Sequence, residues 1–292
     1  MGRSVVVSSN CQTGGLGACF QALMPQDDIT AIPMITNPGQ DATGLIEALC
    51  RADIWIALDY QDFLTTHAIT NRNDRLQCIA IPSIDFGAFH PDLCYAGNAS
   101  TNTLTLPHYN SAIGVWAYKN CIEPSDAVRL YNAASFRDLG YLDCWNSTAT
   151  ELRQAFVRAE LPFDKFFLPV KRSGVFMYST NHPKISALAA LAKIVMRRIG
   201  EGDMIFDKPV EVSDALAGDV LWPIYPEVAE GLALPGGCYE WTFPGRTYLS
   251  GIEAYLEWSY QNYETQGIRP SDIYFNKNLD RYHSVLGPQV GV

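Results

Sequence analysis

Four short apolar runs rich in β-branched residues recur in the first third of the chain: SVVVSS at 4–9, ITAIPMI at 29–35, DIWIALD at 53–59 and LQCIAIP at 76–82. Runs of this length without polar alternation are the strands of a parallel sheet that is covered on both faces. Helix-compatible segments separate the first three, LGACFQALM at 16–24 and DATGLIEALCRA at 41–52, the second with Asp41 placed to cap its start. The pattern predicts a doubly wound α/β fold with a mainly parallel sheet, of the Rossmann, flavodoxin or SGNH kind. Such sheets take their ligands beyond the carboxyl ends of the strands.

The pattern changes after about residue 100. Helices are predicted over 124–134, 148–160, 183–200 and 248–263, with a further strand at 174–180 (GVFMYST). The stretch 201–247 is rich in Pro, Gly and Trp and reads as irregular, aromatic-packed structure. No repeat or low-complexity tract interrupts the chain, so a single domain over 1–292 is expected. Residues 1–100 would form the parallel α/β core, and 101–292 a helical and irregular extension that completes the core and covers the site.

Charge narrows the partners. With 21 Lys and Arg against 31 Asp and Glu the formal charge is −10, which disfavours nonspecific binding to nucleic acid or to an anionic membrane surface. Any anionic ligand must be held by local groups. The N-terminus has too short an apolar run for a signal peptide, and nothing reaches the roughly 18 apolar residues needed to cross a bilayer. A soluble, cytoplasmic protein is expected. The eight cysteines are dispersed with no short paired spacing, which signals neither a zinc site nor a redox pair, and most of them read as small core residues.

One cysteine differs. Asn10-Cys11-Gln12 follows the first strand directly and precedes Gly14, Gly15 and Gly17. A thiol there would sit in the ligand crevice, and a helix starting near Leu16 would aim its unpaired N–H groups at it and favour the thiolate. The N–H after Cys11, with the Asn10 or Gln12 carboxamide, could form an oxyanion pocket. The glycines would let the backbone turn tightly, though their spacing fits neither the dinucleotide fingerprint nor a P-loop. The alternative is a small residue filling a tight turn.

Five histidines are available as a partner base. His90, in IPSIDFGAFHPDLCYAGN, follows the fourth strand, so it is expected at the same sheet edge as Cys11, with Asp92 to orient its imidazole. Asn181 and His182 stand where a strand ends and a helix begins, a place for an anion. Lys171 and Arg172 are a candidate phosphate clamp. Asp280 and His283 are spaced like the last motif of SGNH-type esterases, although the Gly-Asp-Ser of that group is absent.

Taken together, NCQ at 10–12, FGAFHPDLCY at 86–95 and NHP at 181–183 resemble the WcbI-type polysaccharide biosynthesis enzymes of bacterial capsule clusters. The resemblance spans residues 4 to about 200; 201–292 find no counterpart motif by motif. It implies a cytoplasmic protein that binds coenzyme A and transfers an acyl group, acetyl from acetyl-coenzyme A, to a capsule carbohydrate. On that reading Gly14 and Gly15 meet the pantetheine or phosphates, and Lys171, Arg172, Asn181 and His182 take the nucleotide end. Cys11 and His90 mark the reactive corner, with Asn10 and Gln12 beside them. Cys11 could accept the acyl group, or His90 could activate a sugar hydroxyl for direct attack while Gln12 and nearby N–H groups stabilise the oxyanion. A thiol or serine-type esterase and a non-catalytic coenzyme A or sugar carrier are the competing functions.

Overall fold

The computed structural model describes residues 2–35, 40–200 and 202–291. In chain order the first elements are β1 (Ser4–Ser8), α1 (Thr13–Leu23), β2 (Asp28–Ala31), α2 (Thr43–Leu49), β3 (Ile54–Ala57), α3 (Gln61–Thr66) and β4 (Gln77–Ala80). Then come β5 (Leu93–Asn98), β6 (Thr103–Ser111), α4 (Ala112–Lys119), α5 (Pro124–Ala127), α6 (Ala133–Leu139), α7 (Trp145–Arg158), α8 (Phe163–Arg172) and α9 (Ile185–Arg198). The chain closes with α10 (Pro226–Gly231), β7 (Glu240–Phe243), β8 (Thr247–Ser250), α11 (Ile252–Thr265), β9 (Ile273–Phe275) and α12 (Leu279–Val290).

Contacts divide the chain into two compact units, Met1–Phe86 with Ala149–Gly218, and Gly87–Thr148 with Asp219–Val292. The change of pattern expected near residue 100 lies inside the second unit.

The first unit holds the expected doubly wound α/β architecture. Its four strands are all parallel and run β2-β1-β3-β4. From β1 the chain steps outward to β2, then crosses back over β1 to β3 and on to β4. With right-handed crossovers, this reversal puts α1 on one face of the sheet and α2 and α3 on the other. Val6 and Trp55 accordingly pack with Leu45 and Leu49 of α2 and Phe63 of α3. The reversal also opens a crevice beyond the carboxyl ends of β1 and β3.

Three local departures from the sequence expectation matter for the site. First, α1 begins at Thr13, so Gly14, Gly15 and Gly17 lie within it. Gly15 and Gly17 serve close packing: a Cβ at 15 would fall 2.5 Å from Leu188 Cδ1 of α9, and one at 17 would fall 2.7 Å from Ala31 Cβ on β2. Gly14 faces open space. Second, 174–180 forms no strand. Gly174 takes a positive φ of 93°, Met177 makes one isolated bridge to Pro183, and Phe176 packs on Phe86 with ring centroids 4.9 Å apart. The apolar residues of that run fill a core rather than extend a sheet. Third, the predicted helix over 124–134 breaks, because the Asn132 side chain accepts from Ser135 N and starts α6 afresh.

The second unit carries an antiparallel sheet, β6-β5-β9, and the β7-β8 hairpin. The stretch 201–247 behaves as expected in kind. Its first residue, Glu201, lies outside the described residues; beyond it come 3₁₀ turns, α10 and β7, and its rings pack together, Trp222 edge-on to Trp241 and Tyr225 tilted against Tyr239. The helix expected over 248–263 gives its first turn to β8 and starts at Ile252, after Gly251 at φ 92°. No helix among the described residues is long and apolar enough to cross a membrane.

The packing of α1 predicts opposite outcomes for neighbouring glycines. Gly17→Ala should cost about 1–3 kcal/mol, since Ala31 Cβ is fixed to a strand backbone and cannot swing away. Gly14→Ala should be neutral or stabilising by up to about 1 kcal/mol. Urea unfolding of the two variants measures both.

Candidate functional site

Beyond β1 the chain turns once and enters α1. Ser9 N donates to Thr13 Oγ1 (2.9 Å), and Thr13 N and Oγ1 both donate to Asn10 O (3.1 and 2.7 Å). The three residues of the NCQ motif then point in different directions. Asn10 Nδ2 donates to Ser83 Oγ (2.9 Å), while Asn10 Oδ1 accepts from Gln12 N (3.1 Å). Gln12 is fully buried. Its Nε2 donates to Ile84 O (3.0 Å) and Asn181 O (3.1 Å), and its Oε1 accepts from Ile84 N (3.2 Å).

Cys11, between them, is exposed. Its Sγ lies 3.7 Å from Asn10 Oδ1 and 3.8 Å from Asn181 O. Two other thiols of this unit, Cys19 on α1 and Cys78 on β4, differ. Burial, reinforced by the charge of Asp214, raises Cys19 to about 12, and burial raises Cys78 to about 11. Both stay protonated and unreactive at neutral pH.

Two expectations change here. Gln12 cannot offer its carboxamide to an oxyanion, because carbonyl oxygens already take its N–H groups; it is a strap that ties the turn after β1 to the segment after β4. The Asn181 and His182 turn does not form an anion site either. The N-terminus of α9 is filled by the chain's own carboxylate, Asp214 Oδ2 accepting from Ile185 N at 2.8 Å. Asn181 instead turns its carbonyl to the thiol, and His182 beside it is buried. Lys171 and Arg172 end α8 and are exposed.

A hollow of 570 Å³ opens beyond the carboxyl ends of β1, β3 and β4. Asn10, Asp59, Tyr60, Ser83 and Asp85 line it from the strand ends, and Arg158 and Arg198 from α7 and α9. Asp59 adopts a left-handed φ of 44°, a conformation that aspartate tolerates better than most residues. The Asp85 side chain reaches solvent, yet the protein around it desolvates the carboxyl enough to raise its pKa, against the Ser83 hydrogen bond that lowers it. Arg198 is held by Glu160 (2.6 Å). Of these residues only Asn10 stands in a motif, and the Arg197-Arg198 pair is accounted for by the dipole of the helix it ends. The rule that ligands bind past strand ends would have found Asp59, Ser83 and Asp85, whereas Arg158 and Arg198 look in sequence like ordinary charges closing two helices.

His90 and Asp92 belong to the second unit. His90 is 3% exposed, and its Nδ1 lies 3.3 Å from Pro223 O. Asp92 was expected to orient that imidazole; its oxygens are instead engaged by Ser111 Oγ, Tyr141 OH (2.8 Å), Tyr225 OH (2.8 Å) and Ile113 N (3.0 Å). Burial and then the Asp92 charge push Tyr141 and Tyr225 far up, so both remain hydroxyl donors. A buried carboxylate gathers donors wherever a core supplies them, and this aromatic core supplies tyrosines. His283, on α12, lies edge-on to Trp116 with ring centroids 5.6 Å apart.

The sequence matches the family described as "Polysaccharide biosynthesis enzyme WcbI" over residues 4–203. No curated protein matches the chain. Among solved structures, one of WcbI, described as a novel polysaccharide biosynthesis enzyme, aligns with a TM-score of 0.63 at 13% identity, covering 100% of this chain and 96% of that one. That structure is described as the native protein without a disulfide bond between coenzyme A and one of its cysteines.

Two measurements follow. Gln12→Ala should cost about 2–4 kcal/mol, because it strands the N–H and carbonyl groups of Ile84 and Asn181; urea unfolding reads the loss. For Asp92, burial raises the carboxyl against its four donors. A proton held more tightly in the folded state gives stability that is present below the ordinary carboxylate pKa and is lost as pH rises through the folded value. The difference between wild type and Asp92→Asn across about pH 3–8 should show that fall; parallel curves would mean that the group titrates alike folded and unfolded.

Proposed function

Because the chain belongs to the WcbI family of polysaccharide biosynthesis enzymes, we propose that it is an acyltransferase. It takes an acetyl group from acetyl-coenzyme A and delivers it to a hydroxyl of a capsular or other extracellular polysaccharide precursor. The observation that carries this reading is the exposed thiol of Cys11, set between two anchored carboxamides at the switch point of a parallel sheet. The dispersed cysteines of the sequence support a cytoplasmic setting for this reaction.

The residues present suit coenzyme A. Its reacting end is a thioester that needs an open approach, and Gly14 in the first turn of α1 leaves open space beside the thiol turn. Lys171 and Arg172, exposed at the carboxyl end of α8, are cations of the kind that suits its phosphates. The acyl donor supplies an activated carbonyl; the chain's own groups do the rest. Cys11 Sγ, as thiolate, attacks the carbonyl carbon, the donor's C–S bond breaks, and coenzyme A leaves as a thiol after taking up a proton. The acyl group then rests on Cys11 as a thioester. A sugar hydroxyl attacks it, loses its proton to a base and regenerates the thiol. First-turn N–H groups of α1 replace Gln12 as donors to the oxyanion.

His90 is the base in this reading. A proton on Nδ1, donated to Pro223 O, makes Nε2 the basic nitrogen. In the direct route the same nitrogen would deprotonate the sugar hydroxyl with no acyl-cysteine formed.

Incubation with acetyl-coenzyme A and no acceptor should add one acetyl group to Cys11, seen by intact-protein and peptide mass spectrometry, and Cys11→Ser should abolish the adduct. Absence of the adduct together with an active Cys11→Ala variant would leave only direct transfer. His90→Ala should slow transfer by about 10²- to 10⁴-fold. Coenzyme A should raise the melting temperature; hydrolysis of simple acetyl esters with no such response would favour an esterase.

A further inference from the structure

The hollow beyond β1, β3 and β4 has a lining at odds with an acyl-coenzyme A channel. A pantetheine arm needs apolar walls and phosphates need cations; this cavity has some of each, Leu58, Ile81 and Pro82 with Arg158 and Arg198, but it sets against them three carboxylates, Asp59, Asp85 and Glu160, with the carboxamide of Asn10 and the hydroxyl of Ser83. Of its two arginines, Arg198 already pairs with Glu160. Carboxylates in this setting accept hydrogen bonds, and the ligand that brings many donors at close spacing is a polyol. The Tyr60 ring, half-buried at the edge of the same cavity, adds an apolar face for the C–H side of a sugar ring. A volume of 570 Å³ lies within the usual range for small-ligand sites.

We infer that this hollow is the acceptor site and that it holds a neutral, hydroxyl-rich sugar ring. The inference rests on the acyltransferase reading and adds to it the place and charge class of the acceptor. Asp59 and Asp85 receive ring hydroxyls, Asn10 and Ser83 complete the set, and Arg158 donates to ring or glycosidic oxygens at the far wall. The two carboxylates disfavour a ring that bears a carboxylate or phosphate of its own. Asn10 connects the site to the chemistry: its side chain lines the hollow and its Oδ1 stands 3.7 Å from Cys11 Sγ. A sugar seated there needs to move only past one side chain to reach an acyl group on the thiol.

The test uses the full chain and defined probes, the methyl glycosides of glucose, galactose and mannose, with methyl glucuronide as the charged counterpart, in ligand-observed NMR titrations. Wild type should bind at least one neutral glycoside and prefer it to the glucuronide. Asp59→Asn, which keeps the size and the tolerance for a left-handed backbone, should weaken that binding about tenfold. Ala155→Phe, which projects a ring into the hollow from α7, should abolish it. Thermal shift by coenzyme A, measured on the same samples, should persist in both variants. No binding of any neutral glycoside by wild type, preference for the glucuronide, or unchanged affinity in both variants would overturn the inference. Loss of the coenzyme A shift in Ala155→Phe alongside retained glycoside binding would give the hollow to the donor instead. A wild type that gives no shift with coenzyme A tells against the acyltransferase reading itself, independently of the sugar titrations.

Discussion

The buried carboxamide of Gln12 fixes the turn on which the site is built. It meets the backbone of Ile84 in both senses and reaches the carbonyl of Asn181, so three stretches of chain far apart in sequence are held to one side chain. A peptide-like pairing inside a low-dielectric core is strong because its loss would leave several groups without water or partner. With Gln12 directed inward and Asn10 tied sideways to Ser83, the residue between them has only the outward direction left. The exposure of Cys11 is therefore a consequence of its neighbours' hydrogen bonds. That explains why a thiol stands between two carboxamides where a buried strand gives way to a helix.

The parallel sheet was legible because its information is local. Each apolar run declares a strand buried on both faces, and all four appear in the order and sense that a doubly wound fold requires. The second run is regular strand only to Ala31, yet its backbone follows β1 further, Ile32 N donating to Val7 O and Met34 N to Ser9 O. Elements that depend on distant partners were not legible. β9 becomes a strand only when the segment from residue 273 onward pairs beside Leu93–Asn98, while the local β5-β6 hairpin is hidden by strands that mix polar and apolar residues. The run at 174–180 has strand composition, but no neighbour offers it a ladder, and its side chains go to aromatic packing.

The site divides in the same way. Position relative to a strand end picked out Asn10, Cys11 and Gln12, since the geometry of parallel sheets decides where chemistry can reach the surface. Roles assigned by residue type fared worse. A helix start at Ile185 looks like an anion site in one dimension, but a carboxylate 29 residues downstream, Asp214, occupies it. A carboxylate two residues from a histidine looks like its orienting partner, but Asp92 faces hydroxyls from residues 111, 141 and 225. In each case the competing partner is remote in sequence and had no local signature.

The electrostatic layout around the thiol follows from the choice of amides over acids. A carboxylate at position 10 would put a negative charge within about 4 Å of the sulfur and oppose formation of the thiolate by one to three pKa units in the setting of a crevice. A carboxamide has nearly the same shape and keeps the acceptor that holds Gln12 N, without that charge. The acids of the hollow, Asp59 and Asp85, come from the strands beyond, so Asn10 stands between the charged lining and the nucleophile. In a chain of net charge −10, a reactive thiol needs such a neutral interval, and the asparagine that provides it also carries the hydrogen bond to Ser83 that joins the thiol turn to the hollow's far strand.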